Sequence, residues 1–251
     1  QPLVDGLADH LVQHGINCFG PSAAAAQLEG SKSFARAFAD RHGIPGPRNE
    51  TFTSADAALA WLAEQDFDVV VKADGLAGGK GVIIPEDRIG AETAILDFLS
   101  SGALGESGRT IVLEERMTGE ELSLFGISSA DQIDPLGGLT AQDHKRVGEG
   151  DTGPNTGGMG AFAPVPNLDP TVVDHLVNTF LVPVQAGMAE EGTPYVGVVY
   201  AGIMLTDDGP RLIEYNCRFG DPEAQVLLPL LDGDLLSVMY AAATSAPWTP
   251  L

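Results

Sequence analysis

The N-terminal quarter of the chain carries apolar residues at helical spacing. In the segment 32–42 they recur three and four positions apart, which places them on one face of a helix. Ser31 and Ser54 stand immediately before two such segments, where a serine hydroxyl can cap the first backbone N–H groups. The pattern predicts helices over 3–14, 23–28, 32–42 and 55–65, with a short strand over 16–19.

From residue 69 onward, short runs of β-branched and other apolar residues predominate. Such runs predict strands when glycine, proline or aspartate clusters bound them. Residues 134–164 have little periodicity and much glycine, which predicts a long loop, either functional or disordered. We expect strands over 69–72, 81–84, 110–116, 121–128, 196–205 and 210–216, and helices over 90–100, 170–190 and 222–231. This mixture predicts a fold of the α+β or α/β class, and the stiff segment 44–47 is its best internal boundary.

Composition and charge exclude several classes of protein. The 251 residues carry 13 basic and 35 acidic side chains, a net charge of −22, which argues against nucleic acid or an anionic membrane as a partner. The chain has no apolar run of membrane-spanning length and no signal peptide. Two cysteines do not form a disulfide framework, so we expect a reducing cytoplasm. Gln1 lies inside a helical pattern and is interpreted as an internal point of a longer chain.

Lysine is scarce, and its positions are therefore informative. The four lysines are Lys32, Lys72, Lys80 and Lys145, and three of them stand beside glycine-rich or strand-end motifs. Our hypothesis is that each places a compact ammonium on a phosphate, which a planar guanidinium does less well. The alternative is that these four lysines have no special role.

A glycine-rich loop over 74–81 separates two predicted strands. It lacks the G-x-x-x-x-G-K-[ST] spacing of a P-loop, because Gly81 stands where that motif has serine or threonine. A strand-loop-strand hairpin can nevertheless fold its backbone amides over a phosphate chain. With Lys72 at the end of the incoming strand and Lys80 in the loop, the segment is suited to a triphosphate. A flexible hairpin tip remains the alternative.

Glu214 and Asn216 are candidate metal ligands. Residues two apart on a strand point to the same face, so their oxygens would lie side by side, with Leu212 preceding them on that face. Magnesium takes one or two protein oxygens and completes its shell with phosphate and water. An ordinary exposed glutamate is the alternative for Glu214.

Further polar groups flank these motifs. Arg218 lies just beyond the metal strand, where its fork of donors could bind a carboxylate or phosphate. Asp221 is interpreted first as a helix N-cap, with Pro222 at the first helical position, and second as a group that acts directly. The run 142–146 places positive charge before the glycine-rich run 152–160, a combination suited to a small phosphorylated or carboxylated substrate.

Four carboxylates flank the predicted turn near residue 118. They are Glu114, Glu115, Glu120 and Glu121. Such a group is usually solvated surface. A strand edge there could instead bind adenine through its backbone, with one carboxylate on the ribose hydroxyls.

Taken together, these motifs resemble the phosphoribosylamine–glycine ligase family of the ATP-grasp superfamily. The resemblance covers nearly the whole chain from Gly20, and the runs 152–160 and 214–223 together are specific to the ligase. It rests on the segments 30–32, 72–81, 142–146, 152–160 and 214–223. One departure is Gly78, where the family more often has alanine. The second is that most of the family's N-terminal domain and its C-terminal domain have no counterpart here.

The resemblance implies an ATP-grasp fold of two subdomains with ATP between their sheets. It implies the following divisions: a remnant of an N-terminal α/β domain over 1–20, a central subdomain over 21–48 and 118–251, and a small lid over 49–117. It also implies ligation of glycine to 5-phosphoribosylamine through glycyl phosphate, with ATP and Mg²⁺ or Mn²⁺ as cofactors. Another ATP-grasp carboxylate–amine ligase, or a nucleotide-binding fragment without turnover, remain the alternatives.

The site residues implied by the resemblance fall into four groups. ATP would be bound by Lys32, Lys72, Gly75, Gly78, Gly79, Lys80, Gly81, Glu114, Glu115 and Glu121. The metal would be held by Glu214 and Asn216. Arg218, Lys145 and Arg146 would be catalytic. The substrates would be enclosed by Asp143, Pro154, Asn155, Thr156, Gly157, Gly158, Met159, Arg218 and Asp221. No general base is evident.

Overall fold

The structure, a computed structural model, describes residues 1–77, 81–101, 104–150 and 152–251, with the backbone alone at positions 106, 154 and 155. Within these residues the helices are α1 Leu7–Gln13, α2 Gln27–Gly30, α3 Lys32–Arg41, α4 Ala55–Glu64, α5 Arg88–Ser101, α6 Pro170–Leu176, α7 Val182–Glu190, α8 Glu223–Leu227 and α9 Leu235–Thr244. The strands are β1 Asn49–Phe52, β2 Val69–Ala73, β3 Val82–Ile83, β4 Ile111–Glu115, β5 Glu120–Ser128, β6 Ile133–Asp134, β7 Thr140–Gly148, β8 Thr152–Phe162, β9 Gly197–Thr206 and β10 Gly209–Asn216.

The chain forms two compact units. The four-stranded unit comprises Gln27–Thr118, and the six-stranded unit comprises Gln1–Ala26 with Gly119–Leu251. The boundary candidate at 44–47 lies inside the four-stranded unit, and the domain limits implied by the resemblance stay a prediction. In the described residues no single helix is long and apolar enough to cross a membrane, and only α8 with its following turn and α9 together reach that length, bent by 103°.

The four-stranded unit is an antiparallel sheet with helices packed on it. Its strand order is β1-β4-β2-β3, and β2 pairs with β4 over its whole length. Val71 and Leu113 of these strands are fully buried against Ile95 of α5, so the apolar run of β2 faces a core. The predicted N-caps are confirmed, because Ser31 Oγ accepts from Phe34 N and Ser54 Oγ caps α4.

The six-stranded unit is built around the long pair β5 and β9. The strand order is β10-β9-β5-β7-β8, with the short β6 also paired to β5. Phe125 of β5 is fully buried and stacks on Tyr200 of β9 with ring centroids 4.4 Å apart. Gly119, at the start of this unit, has φ of 152°, and a Cβ there would collide with the Leu205 carbonyl oxygen. The backbone therefore enters β5 at a position that only glycine fits.

The structure differs from the predicted elements in several places. The predicted loop over 134–164 contains β7 and β8, which pair as a hairpin; glycine is depleted in strands, so the glycines of β8 hid it. The short strand predicted over 16–19 is absent from the described chain, and the helix predicted over 23–28 begins only at Gln27, as α2, after a turn over 23–26. The predicted helix 170–190 is interrupted by a π-helical segment, Val177–Leu181, immediately before α7.

Candidate functional site

Glu214 and Asn216 lie side by side on β10, as predicted from their spacing. Asn216 Nδ2 is 3.4 Å from Glu214 Oε1. The prediction that Leu212 shares their face is wrong, because a β-bulge shifts the register between Leu212 and Glu214. Leu212 pairs with Ile203 and is fully buried, whereas Glu214 pairs with the next residue of β9, Gly202, and is exposed. The bulge thus turns Glu214 away from the core.

The donor set at this position fits magnesium. Glu214 and Asn216 offer only hard oxygen ligands among the atoms suited to a metal, and Arg218 Nη2 lies 3.5 Å from Asn216 Oδ1. No cluster of three or more His, Cys, Asp or Glu side chains that could hold a metal occurs among the described residues. A two-oxygen site of this kind needs phosphate oxygens and water to complete an octahedral shell, which is how magnesium binds at phosphate sites.

These residues line a small polar cavity in the six-stranded unit. Its volume is about 130 Å³. The lining residues are Asp143, Lys145, Thr156, Gly157, Tyr200, Glu214, Asn216, Arg218, Gly220, Asp221 and Glu223. The structure therefore brings together both predicted metal ligands and two of the three predicted catalytic residues, Lys145 and Arg218. Four further predicted substrate-binding residues also line the cavity: Asp143, Thr156, Gly157 and Asp221.

A buried hydrogen-bond network at this cavity was not predicted. Tyr200 OH donates to Glu223 Oε1 at 2.7 Å, and Ser123 Oγ lies 3.0 Å from Tyr200 OH and 3.3 Å from the same Glu223 oxygen. Burial raises the pKa of Tyr200, and the neighbouring charge of Glu223 acts in the same direction. Tyr200 is hidden in an apolar strand and Glu223 in the first turn of a helix. The one signal in the sequence that could have indicated this network is the polar hydroxyl of Tyr200 in the otherwise apolar run of β9.

Lys145 and Asp143 project from alternate positions of β7 into the same cavity. Lys145 Nζ is 2.8 Å from Glu121 Oε2 of β5 and 3.6 Å from Asp143 Oδ1. Burial by itself would lower the pKa of Lys145, but the negative charges of Glu121 and Asp143 outweigh it and raise that pKa. Burial raises the pKa of Asp143, against the opposing charge of Lys145. Arg146, the next residue along the strand, is outside the described lining of this cavity.

The glycine-rich run contributes through an irregular part of β8. Arg146 pairs with Asn155 and His144 with Gly160, so the intervening residues of β8 bulge from the ladder. Thr156 Oγ1 donates to the Lys145 carbonyl oxygen at 2.8 Å and accepts from Gly158 N at 3.1 Å, which braces the bulge. Met159 is 58% exposed. The side chains of Pro154 and Asn155 lie outside the description.

The interpretation of Asp221 as a helix N-cap is wrong. Pro222 occupies the N-cap position of α8, and the helix begins one residue later than predicted, at Glu223. Asp221 Oδ1 instead accepts from Gln225 Nε2 at 2.7 Å while Asp221 lines the cavity. A predicted Arg218 role at the strand end stays a prediction, although Arg218 lines this cavity too.

In the four-stranded unit, Lys72 and Glu114 meet in a buried charged trio. Lys72 Nζ is 2.7 Å from Glu114 Oε2, and Arg36 binds both oxygens of the same carboxylate, at 2.8 and 2.9 Å. Burial alone would raise the pKa of Glu114, but the charges of Arg36 and Lys72 lower it to about 2. Both Glu114 oxygens are therefore engaged within the unit. Arg36 was predicted only as part of a helix.

The start of α3 is tied to the start of the glycine loop. Asp74 Oδ1 accepts from Ser33 N at 2.7 Å and from Ser31 Oγ at 3.1 Å, and Lys32 N donates to the Asp74 carbonyl oxygen at 3.1 Å. Lys32 is thereby held beside the loop that follows Lys72. Gly75 packs so closely on Ser107 that an added Cβ would lie 2.8 Å from its hydroxyl.

The remaining residues predicted to contact the nucleotide are Gly81, Glu115, Gly78, Gly79 and Lys80. Gly81 closes the loop, because its carbonyl oxygen accepts from Ala73 N at 2.7 Å. Glu115, next to Glu114, forms an exposed ion pair with Arg48 at 3.3 Å. The predictions for Gly78, Gly79 and Lys80 lie outside the described residues.

Comparison with known proteins identifies the family. Residues 30–224 match the model described as "Phosphoribosylglycinamide synthetase, ATP-grasp (A) domain". The chain is 50% identical over 243 residues to the phosphoribosylamine–glycine ligase of Rhizobium meliloti, covering 97% of this chain and 57% of the relative. It is 49% identical over 241 residues to the trifunctional purine biosynthetic protein adenosine-3 of Gallus gallus, covering 96% of this chain and 24% of the relative. The chain thus spans little more than half of the bacterial relative.

Solved structures agree with this match. The crystal structure of phosphoribosylamine–glycine ligase from Thermotoga maritima is 33% identical with a TM-score of 0.81, covering 98% of this chain and 61% of that one. A biotin carboxylase from Campylobacter jejuni, in a beta-gamma-ATP complex, is 19% identical with a TM-score of 0.74 over 96% of this chain and 52% of that one, a likeness of fold alone. The resemblance seen in the motifs is confirmed, and the chain belongs to the phosphoribosylglycinamide synthetase ATP-grasp (A) domain family.

Proposed function

We propose that this chain forms the nucleotide-binding and substrate-binding core of an enzyme that ligates glycine to 5-phosphoribosylamine with conversion of ATP to ADP and phosphate. The observation that carries the proposal is the 50% identity, over 97% of the chain, to a relative named phosphoribosylamine–glycine ligase. At that identity, a polar cavity that gathers Asp143, Lys145, Arg218 and Asp221 beside the Glu214–Asn216 pair supports a shared chemistry.

The first step is phosphorylation of the glycine carboxylate. A carboxylate oxygen attacks the γ-phosphorus of ATP, the bond to the β,γ-bridging oxygen breaks, and glycyl phosphate and ADP result. Lys32 and Lys72 are proposed to bind the ATP phosphates, and Arg218 to hold the carboxylate in line for attack. Glu214 and Asn216 would hold magnesium, which when bound supplies positive charge that offsets the charge on the phosphates.

The second step forms the amide. The amine nitrogen of 5-phosphoribosylamine attacks the carbonyl carbon of glycyl phosphate, the carbon–oxygen bond to phosphate breaks, and the nitrogen loses a proton. The products are glycinamide ribonucleotide and phosphate. The residues of the chain act by binding, orientation and charge stabilisation, since an acyl phosphate is already activated toward an amine. The bulge that carries Thr156 and Gly157 is proposed to enclose phosphoribosylamine, beside Lys145.

Arginine and lysine in such a site serve the anionic groups of small substrates. The net charge of −22 argues against nucleic acid and anionic membrane as partners. Cys18 and Cys217 are both present as thiols, which fits a reducing compartment, and we include the cytoplasm in the proposal.

The test is release of ADP by the full-length parent protein, with glycine and phosphoribosylamine omitted in turn. The proposal expects glycinamide ribonucleotide and ADP in equal amounts only when both substrates are present. Equal ADP release with another carboxylate, and none with glycine, would assign the chain to a different ATP-grasp ligase.

A second candidate, binding of Mg-ATP by this chain without turnover, is favoured by one observation. The chain spans only 57% of its Rhizobium meliloti relative, so groups needed for turnover can reside in the remainder of a longer protein. Calorimetry with Mg-ATP on the chain itself tests binding. Absence of heat and of any thermal shift at millimolar nucleotide would exclude this candidate.

A further inference from the structure

The charge of the cavity in the six-stranded unit is opposite to that expected of a site for anions. Six of its lining residues are charged. Lys145 and Arg218 are cationic, whereas Asp143, Glu214, Asp221 and Glu223 are carboxylates, so the net charge is −2. A site that receives only phosphates and carboxylates would be expected to have the opposite sign. Magnesium at Glu214 would bring this net charge to zero, which still leaves no positive excess for anionic substrates and leaves room for a ligand that itself carries a positive group.

Asp143 is a buried carboxylate of this cavity whose ion-pair partner is distant. Its side chain is 6% exposed, and Lys145 Nζ lies 3.6 Å away, outside hydrogen-bond distance. Lys145 itself is engaged by Glu121 at 2.8 Å, so its charge is shared. No described residue other than Asp143 itself donates a hydrogen bond to this carboxylate. The negative charge of Glu223 also acts on Asp143 and raises its pKa further. A buried carboxylate in these surroundings needs a cationic donor.

We propose that Asp143 binds the α-ammonium group of the amino-acid substrate. The inference rests on the proposed function and assigns the group that recognises the amine end of glycine, while Arg218 of the same cavity is the candidate for its carboxylate end. An ammonium brings three N–H donors and one positive charge. Asp143 has Lys145 only as an ion-pair partner at 3.6 Å, so an ammonium could add direct hydrogen bonds to its carboxylate, and these would be charge-assisted.

Tyr200 and Ser123 hold the other buried acid of this part of the cavity, Glu223, in place. Glu223 is 2% exposed, and its Oε1 already accepts from Tyr200 OH and Ser123 Oγ. Its other oxygen lies against Gly220, where any added Cβ would collide with it. Glu223 is therefore held by the protein and contributes a fixed negative charge. The carboxylate oxygens of Asp143 can still accept hydrogen bonds from a ligand.

The size of the cavity fits the smallest α-amino acid. Its volume of about 130 Å³ is well below the roughly 300 Å³ at the lower end of ordinary ligand pockets. Two of its lining residues, Gly157 and Gly220, lack side chains, so the volume is limited by the polar side chains around them. The inference therefore predicts selection for a zwitterion without a side chain.

The test compares glycine with glycolate, which has a hydroxyl in place of the ammonium. In the full-length enzyme, we expect Asp143→Asn to raise the KM for glycine at least tenfold, about 1.4 kcal/mol of lost interaction. The KM for ATP and for phosphoribosylamine should change less than twofold. The ratio of the Ki for glycolate to the KM for glycine should fall at least tenfold in this variant. Asp174→Asn, the same substitution at an exposed position of α6, is the control and should leave all three KM values unchanged.

A wild-type measurement keeps the proposal testable if the variant does not fold. Glycolate should inhibit with a Ki at least tenfold above the KM for glycine, and equal values would overturn the proposal. A rise in the KM for phosphoribosylamine alone would show that Asp143 meets the other amine, and would also overturn it. Normal ligation with an unchanged glycine KM in Asp143→Asn rejects this inference but leaves the proposed function standing. If the wild-type enzyme does not ligate glycine to phosphoribosylamine at all, the proposed function itself is rejected.

Discussion

The Lys72 ammonium lies 2.7 Å from the carboxylate of Glu114, and the two side chains are only 8% and 3% exposed. Such a pair alone would be neutral and would attract a phosphate only weakly. Arg36 binds both oxygens of the same carboxylate, so the trio as a whole carries one positive charge. The geometry holds Lys72 in one position and leaves a net charge for an anion. Three predictions follow from this trio, and a fourth concerns the metal ligands.

Lys72→Met should weaken ATP binding or turnover at least tenfold, about 1.4 kcal/mol. Lys72→Arg should not restore it, because a planar guanidinium cannot occupy the place of a compact ammonium beside Glu114 and Arg36. The measurement is nucleotide affinity and steady-state rate in the full-length protein. Arg109→Met, at an exposed position, is the control. An equal loss of ATP affinity or rate in that variant would mean that the overall charge of the protein matters rather than Lys72.

Arg36→Met should reduce ATP affinity although Arg36 is not proposed to touch the nucleotide. The remaining Lys72–Glu114 pair would be neutral, and the loss of one partner of a buried charge also costs roughly 3–5 kcal/mol of stability. The double variant Arg36→Met, Glu114→Gln leaves Lys72 as the one charge of the trio, so it should restore the net charge of +1 and part of the ATP affinity. Calorimetric ATP affinity and urea unfolding check both effects. Unchanged ATP affinity in a folded Arg36→Met variant would contradict the electrostatic account.

The stability of the protein should fall in acid partly through Glu114. Its pKa in the folded chain is about 2, below the ordinary value of 4.5. A depressed pKa adds stability that is fully present above the unfolded value and is lost as the pH falls from about 5 toward 2. The shift corresponds to an unfolding free energy on the order of 3 kcal/mol. Urea unfolding at pH 3 to 7 should show this slope in the wild type and a shallower one in Glu114→Gln. Parallel curves for the two proteins would exclude the assignment.

Glu214→Ala should alter magnesium dependence much more than folding. Glu214 is exposed and lies on an already bulged strand, so its removal should change the unfolding free energy by less than about 0.5 kcal/mol. The magnesium concentration for half-maximal activity should rise at least tenfold in the full-length enzyme, because one of two protein oxygens is lost. Glu190→Ala, at an exposed position of α7, provides the matched control. Normal turnover of Glu214→Ala at low magnesium would rule out Glu214 as a ligand.

Local chemistry was readable from the sequence where it depends on near neighbours. The caps Ser31 and Ser54, and the strands β9 and β10, follow from residues a few positions apart, and the structure confirms them. The adjacency of Glu214 and Asn216 follows from the period of a strand, which holds even after a bulge. The family, likewise, was evident from short motifs whose residues are contiguous in the chain, and the comparisons confirm it.

The tertiary structure decided which distant residues meet. Arg36 and Glu114 are 78 positions apart, and Ser123 and Glu223 are 100 apart, and no local pattern relates either pair. The strands β7 and β8 were also missed, because pairing across a hairpin stabilises glycine-rich residues that have little strand preference of their own. The sequence by itself determined the family, most elements and the polar residue types available for chemistry. Only the folded chain decided which of them are buried together, because burial and charge pairing depend on neighbours brought from far along the chain.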